Sequence, residues 1–350
     1  MALRSQNDLR ELCTWNELWL PQNPPLFRIV DSLLCRIEFH VPPLLYMHKR
    51  FLDHGSDSHP ECPERLRHLY DRLESTGLAE QFETPQIVIA AEGQIQLAHQ
   101  VEYISDLRRF SQAGGGWLAN DTFVTEQSFS TASFAAGAVI EAVDAVMKGP
   151  NHRAVCLVRP PGHHALPALV MGFCLFDNIA IGAIHARQFH CLHRILIVDW
   201  DVHHGNSTQR IFYRNHDVYY VSVHRSPFFP GTGAADETGE GAGLGTTFNL
   251  PLPFGVTRKE LLERFRTLLN DAASRCRPEL VLLSAGFDAH HADPIGSLGL
   301  ETEDFEPLTK MVLDVSNEYC DGKLVSVLEG GYNVPILSEC VELHLKSLSG

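Results

Sequence analysis

The chain has 350 residues, 44% of them hydrophobic and 20% charged, with 26 Gly and 20 Pro. That is too apolar for a disordered chain and too poor in Gly and Pro for a low-complexity one. Lys and Arg number 28 against 43 Asp and Glu, a formal net charge of −15, which argues against a nucleic-acid binder that tracks phosphates and suits cationic ligands.

No uninterrupted apolar run approaches the roughly 18 residues of a membrane span, so no membrane association is expected. The nine cysteines are scattered and odd in number, with no Cys-x-x-Cys pair, and Cys156 sits inside the apolar run AVCLV. Free thiols in a reducing compartment fit this pattern better than a disulfide framework. The opening stretch MALRSQNDLRELCTWNELWL does not read as a secretory or Arg-rich transit signal. The expected location is therefore cytoplasmic, or nuclear in a eukaryote; a homo-oligomer is compatible with the composition.

In chain order, residues 1–42 carry the Pro-punctuated stretches LPQNPPLF and HVPPLL and read as an N-terminal extension. From residue 43 onward, short apolar runs alternate with helical patterns. The expected strands are LLYM (44–47), IVIA (87–90), AVCLV (154–158), RILIVDW (194–200), DVYYVSV (217–223), LVLLSA (280–285) and LVSVLE (324–329). Their near-continuous apolarity suits strands covered on both faces of a parallel sheet.

Helices are expected between them. Ala132, Ala136, Val139, Ile140, Val143 and Met147 repeat at helical spacing. Thr257 and Glu260 form a capping box ahead of Leu261, Phe265, Leu268 and Ala272, before a stop at Pro278. Phe305, Leu308, Val312, Val315 and Tyr319 form a third stripe, with Pro307 tolerated in its first turn. The alternation predicts an α/β fold with a mostly parallel central sheet and helices on both faces, in one domain spanning residues 43–350.

In such sheets chemistry gathers beyond the carboxyl ends of the strands. Four of the expected strands run into polar turns at that end: RPPGHHA, DWDVHHGN, GFDAHHADP and GGYN. In an extended DWDVHHGN, Asp199, Asp201 and His203 share one face. An Asp-x-His pair begins a divalent-metal site, and Asp288, at the end of another strand, is the best third ligand. His163 and His164 titrate in the range a general base and acid require. Asp199 and Asn206 are plausible partners for His163 and His164 respectively. Tyr332, behind two glycines, can approach a ligand closely and donate to a developing oxyanion.

The ordered motifs HPECPERL (59–66), RPPGHHA (159–165), MGFCLFDN (171–178), DWDVHHGN (199–206), SVHRSPFFPGTG (222–233), SAGFDAHHADP (284–294) and LEGGYN (328–333) resemble the zinc-dependent histone deacetylase family. The likeness is to its class II members and their bacterial amidohydrolase relatives, and it covers about residues 44–350. It implies the three-layer arginase–deacetylase fold and removal of acyl groups from lysine side chains. The implied zinc ligands are Asp201, His203 and Asp288, a donor set that also suits ferrous iron. His164 is implied as general base and acid, His163 as its electrostatic partner held by Asp199, and Tyr332 as the group polarising the carbonyl.

Gly172, Phe173 and Phe229 are implied as the substrate tunnel, Arg65 as an arginine at its inner end, and Asp121 as a rim residue near the substrate backbone. A structural potassium is implied at Asp199, Asp201, His203 and Ser222, with a second monovalent site near Phe212 and Val218. Asn206 stands where class I members have an acid. Ile295 stands where polyamine-specific relatives have an acidic gatekeeper, which disfavours a polyamine substrate. The expected partner is thus an acylated lysine protein or peptide. The alternatives are a small acylated amine, including an acylpolyamine, or a catalytically weak acyl-lysine binding module. His290 and His291 read as rim loop.

Overall fold

The structure, a computed structural model, describes residues 41–350; residues 1–40 of the expected N-terminal extension lie outside it. Seven parallel strands form the central sheet: β1 (Leu44–Tyr46), β4 (Arg153–Cys156), β5 (Ile195–Asp199), β6 (Val218–Arg225), β7 (Thr247–Leu252), β8 (Leu280–Ala285) and β9 (Leu324–Leu328). Their order is β1-β4-β9-β8-β5-β6-β7. A two-stranded ribbon of β2 (Gly116–Trp117) and β3 (Phe123–Val124) stands apart. Every residue of β5, β8 and β9 is buried, as near-continuous apolar runs require.

Among the described residues nine α-helices surround this framework: α1 (Glu64–Ser75), α2 (Glu92–Ile95), α3 (Val101–Gln112), α4 (Ser128–Lys148), α5 (Asn178–Phe189), α6 (Asn206–Phe212), α7 (Arg258–Cys276), α8 (Phe305–Cys320) and α9 (Val334–Ser349). α4 and α5 pack together and cover one face of the sheet, while α7, α8, α9 and α1 form a continuous layer on the other. The three-layer α/β architecture is the expected one. α4 is the one helix among the described residues long and apolar enough to cross a membrane, but 72% of its most apolar stretch is buried inside the protein, as a core helix is. The Thr257 hydroxyl accepts the Glu260 N–H at 3.2 Å and caps α7. All seven cysteines among the described residues are free.

Two strand assignments differ from expectation. IVIA (87–90) is extended but pairs with no strand. It lies along α4, where the Ala90 N–H donates to the Ser133 carbonyl at 3.0 Å, and Val88 and Ile89 remain exposed. Its apolarity serves only one side. β7 was not expected because Thr247, Asn249 and Pro251 interrupt the apolar pattern; it is an edge strand, where a missing N–H is tolerated.

Behind the sheet's carboxyl end lies a buried ion network. Glu61, 1% exposed, takes Arg159 at 2.7 Å and Arg65 at 2.9 Å. Burial resists ionisation of Glu61, but Arg159, then Arg65, outweigh it and lower its pKa from 4.5 to about 2. A depressed carboxylate stabilises the fold above its unfolded pKa and loses that contribution as pH falls through the folded one. Between pH 4.5 and about 2 the chain should therefore lose on the order of 3 kcal/mol from this group. Urea titrations at neutral and acid pH check this against Glu61→Gln. That variant strands two buried guanidiniums, so it should be destabilised at pH 7 by about 3–5 kcal/mol. Its deficit against the parent should narrow on acidification.

Candidate active site

The strand order explains why four distant motifs meet. β4, β9, β8 and β5 are consecutive in the sheet, so the turns that follow them converge above one stretch of its edge. Register puts Asp199 beside Ser284 on β8 and Ser222 on β6.

Asp201, His203 and Asp288 are all buried, with one donor atom each lying within 4.8 Å of the others. His203 Nδ1 is 3.0 Å from Asp201 Oδ1 and 3.0 Å from Asp288 Oδ2. Backbone N–H groups fix the carboxylates: Gly330 donates to Asp201 Oδ2 at 2.8 Å, and Val202 donates to Asp288 Oδ1 at 2.9 Å. A side chain at Gly330 would intrude, since its Cβ would stand 2.5 Å from Asp201 Oδ2. Two carboxylates and one imidazole converging in a cradle closed to side chains form a donor set that fits a zinc-like divalent ion with a position left open.

The two histidines of the β4 turn touch, with ring centroids 4.0 Å apart, yet sit in opposite electrostatic surroundings. His163 Nδ1 meets Asp199 Oδ2 at 3.1 Å; the same oxygen accepts the Tyr220 hydroxyl at 2.9 Å. Burial resists protonation of His163, but Asp199, then Asp201 and Glu329, outweigh it and hold the ring well above the usual imidazole range. Burial and the neighbouring His163 and His203 hold His164 well below that range. His164 Nδ1 lies 2.7 Å from the Asn206 amide oxygen. That oxygen can only accept, so Nδ1 carries the hydrogen and Nε2 is left as the ring's acceptor.

Above this floor is a slot of about 300 Å³ lined by His164, Phe173, His203, Phe229, Ile295 and Tyr332, with Gly172, Phe228 and Asp121 completing it. Phe173 has a left-handed backbone, φ 68°, a conformation that costs a non-glycine residue about 1–3 kcal/mol and concentrates at functional sites. Gly172 has φ +56°, and a Cβ there would lie 2.8 Å from His164 Cγ. The Asp121 carboxylate accepts the Gly172 N–H at 3.1 Å. Ile295 turns an apolar side chain to the same slot.

Tyr332 is held from beneath. The Arg65 guanidinium lies 4.9 Å from its ring centre and donates to the carbonyls of Gly331 and Glu329, both at 2.6 Å. Burial pushes the phenol well above its ordinary pKa despite Arg65, so Tyr332 stays a neutral hydroxyl donor. Asp293 joins both sides of the slot: Oδ2 accepts the Tyr332 N–H at 2.6 Å, and Oδ1 accepts the N–H groups of Ile295 and Gly296 at 2.9 Å.

Sequence reasoning missed several of these groups. Glu329 is fully buried, and its carboxylate accepts the Gly162 and His163 N–H groups at 2.7 and 3.2 Å and the Ser284 hydroxyl at 3.0 Å. An acid ending the apolar run LVSVLE was its available signal. Phe228 stacks on His203 with centroids 5.1 Å apart; adjacent phenylalanines gave no means of choosing it. Ser222, expected at a monovalent ion, has its hydroxyl 2.9 Å from His224 Nδ1. Phe212 ends α6 and Val218 begins β6. His290 and His291 lie outside the Asp201 cluster, their rings tilted against each other with centroids 4.5 Å apart.

A parallel α/β sheet with a buried carboxylate–imidazole cluster, a polarised histidine pair and a neutral tyrosine along one slot defines a hydrolase of the deacetylase–amidohydrolase class. A profile of the histone deacetylase domain matches residues 59–348. The chain is 36% identical to histone deacetylase 14, chloroplastic, of Arabidopsis thaliana over 88% of this chain and 77% of that one. It is 37% identical to the histone deacetylase-like amidohydrolase of Pseudomonas aeruginosa over 83% and 77%. It is 39% identical to the polyamine deacetylase HDAC10 of Homo sapiens over 83% of this chain and 45% of that one. The crystal structure of the HDA15 HD domain superposes with a TM-score of 0.83 at 35% identity, covering 88% of each chain. The protein belongs to the histone deacetylase family.

Proposed function

We propose that the protein hydrolyses the amide of acylated lysine side chains in proteins or peptides, with zinc held by Asp201, His203 and Asp288. The observation that carries this reading is the narrow slot, walled by Phe173, Phe229 and Ile295, that ends between His164, Tyr332 and the carboxylate–imidazole cluster. A methylene chain fits between aromatic walls; the carboxylate at the slot, Asp121, already accepts the Gly172 N–H and the Thr122 hydroxyl, and Ile295 offers nothing to a second ammonium. A divalent ion in the cradle supplies a Lewis acid that polarises a carbonyl and brings the pKa of water toward about 7.

The remaining work falls to the chain. His164 Nε2 takes the proton of the attacking water, which its lowered pKa and the Asn206 bond leave it free to do. Tyr332 donates to the substrate carbonyl oxygen as negative charge develops there. His163, kept cationic by Asp199, stabilises that charge. His164 then returns the proton to the departing amine, leaving a carboxylate and a free lysine. Asp199, Asp201, His203 and Ser222 are proposed as a structural potassium site, and the free thiols support a cytoplasmic or nuclear setting.

The similarity to a polyamine deacetylase favours acylated polyamines as the second reading. Turnover of an acetyl-lysine peptide and of acetylspermidine, each with and without a chelator, tests both. Faster chelator-sensitive turnover of the peptide is expected; faster turnover of acetylspermidine establishes the second reading. Absence of both leaves an acyl-lysine binding module. A Gly172→Ala change should cut kcat roughly 100-fold, because its methyl displaces the His164 ring and small misplacements at a reacting centre cost about that much. Metal content, measured on the same sample, should be unchanged.

A further inference from the structure

Asp144, His185 and His190 form a second cluster of metal-ligating atoms, with one donor from each lying within 4.8 Å of the others. Asp144 lies near the end of α4, His185 in the last turns of α5, and His190 just after it. β4 and β5 begin on this side, so the cluster is at the opposite end of the sheet from the slot. Both imidazoles aim Nε2 at one oxygen, Asp144 Oδ1, at 2.8 Å for His185 and 2.6 Å for His190.

We propose that this cluster is a second, non-catalytic site for a divalent first-row transition metal that fastens α4 to α5. Two imidazole nitrogens and a carboxylate oxygen suit zinc, cobalt, nickel or copper, whereas magnesium and calcium call for oxygen-only sets. The site is largely built in advance. His185 is 4% exposed, is stacked on Phe189 at 4.6 Å, and has no partner for Nδ1, so its polar contacts are all at this cluster. The His190 side chain is 8% exposed and that of Asp144 31%, which leaves the carboxylate side open to solvent for entry and for a water ligand. Glu141, one turn before Asp144, is close enough for Asp144 and His185 to act on its charge, and adds negative potential. Lys148 holds Asp144 Oδ2 at 2.9 Å, but its side chain is 63% exposed. Such a surface pair contributes little and swings aside readily.

The test uses tag-free holoenzyme dialysed against Zn²⁺ or Cu²⁺. The parent is expected to bind one equivalent beyond its catalytic metal and to gain a few degrees in Tm. His190→Ala and the isosteric Asp144→Asn should lose that equivalent and the Tm gain while hydrolysing substrate as the parent does. Asp201→Ala, which disrupts the catalytic cluster, should retain it. The Cu²⁺ spectrum should show coupling to two imidazole nitrogens in the parent. No additional equivalent in the parent overturns the proposal. So does undiminished binding in both His190→Ala and Asp144→Asn.

Discussion

Asp201→Ala is expected to lose the metal equivalent bound at the Asp201–His203–Asp288 cluster together with hydrolytic activity, with activity falling to that of the chelated parent. The reason lies in how the cradle is balanced. Asp201 Oδ1 faces His203 Nδ1, and Oδ2 is anchored by the Gly330 N–H. Removing the carboxylate takes away one of the three proposed ligands, orphans the N–H groups of Gly330 and His203, and leaves the His203 ring with Asp288 alone. Metal analysis beside a turnover assay checks the result. A metal content equal to the parent's under the same conditions would show that the ion sits elsewhere and would end the assignment of all three ligands. Gly330→Ala should imitate it without touching a ligand, because the added methyl enters the space of the carboxylates.

Tyr332→Phe is expected to lower turnover by about two orders of magnitude, the usual loss for one oxyanion donor, while leaving metal content intact. The ring's position rests on the Arg65 guanidinium and on the backbone bond to Asp293, neither of which uses the hydroxyl. The substitution therefore removes a proton donor and little else. KM should change far less than kcat, since the donor acts where charge develops. Steady-state kinetics on an acetyl-lysine peptide would reveal an unaffected kcat, and that outcome would exclude the phenol from the chemistry.

The legible parts of this protein were those encoded within a few consecutive residues. Asp201 and His203 were legible as an Asp-x-His pair after an apolar strand, although β5 ends at Asp199 and a bend in which the His203 N–H donates to Asp201 Oδ1, not an extended face, brings them together; the central strands announce themselves by unbroken apolarity. Even the partners of His163 and His164 could be named, because Asp199 and Asn206 sit in the same short motif. What escaped depends on pairings between remote segments. Arg159 stands in plain view in RPPGHHA, but its partner Glu61 is 98 positions away. β7 is fixed by the neighbouring β6 rather than by its own composition. IVIA has the composition of a strand and the environment of a loop laid on a helix. Phe228 and Asp293 act through stacking and backbone bonds that leave no local trace.

Glu329 has a broader consequence. Its carboxylate grips the turn after β4 and a hydroxyl on β8, while its own carbonyl is gripped by Arg65, which continues through Glu61 to Arg159. Changes at any two of these positions should therefore combine non-additively, each being conditional on the other. Ile295 and Phe229 stand outside that web. Substrate preference can drift by altering the slot's upper walls one residue at a time, whereas the machinery beneath them tolerates revision only as a set.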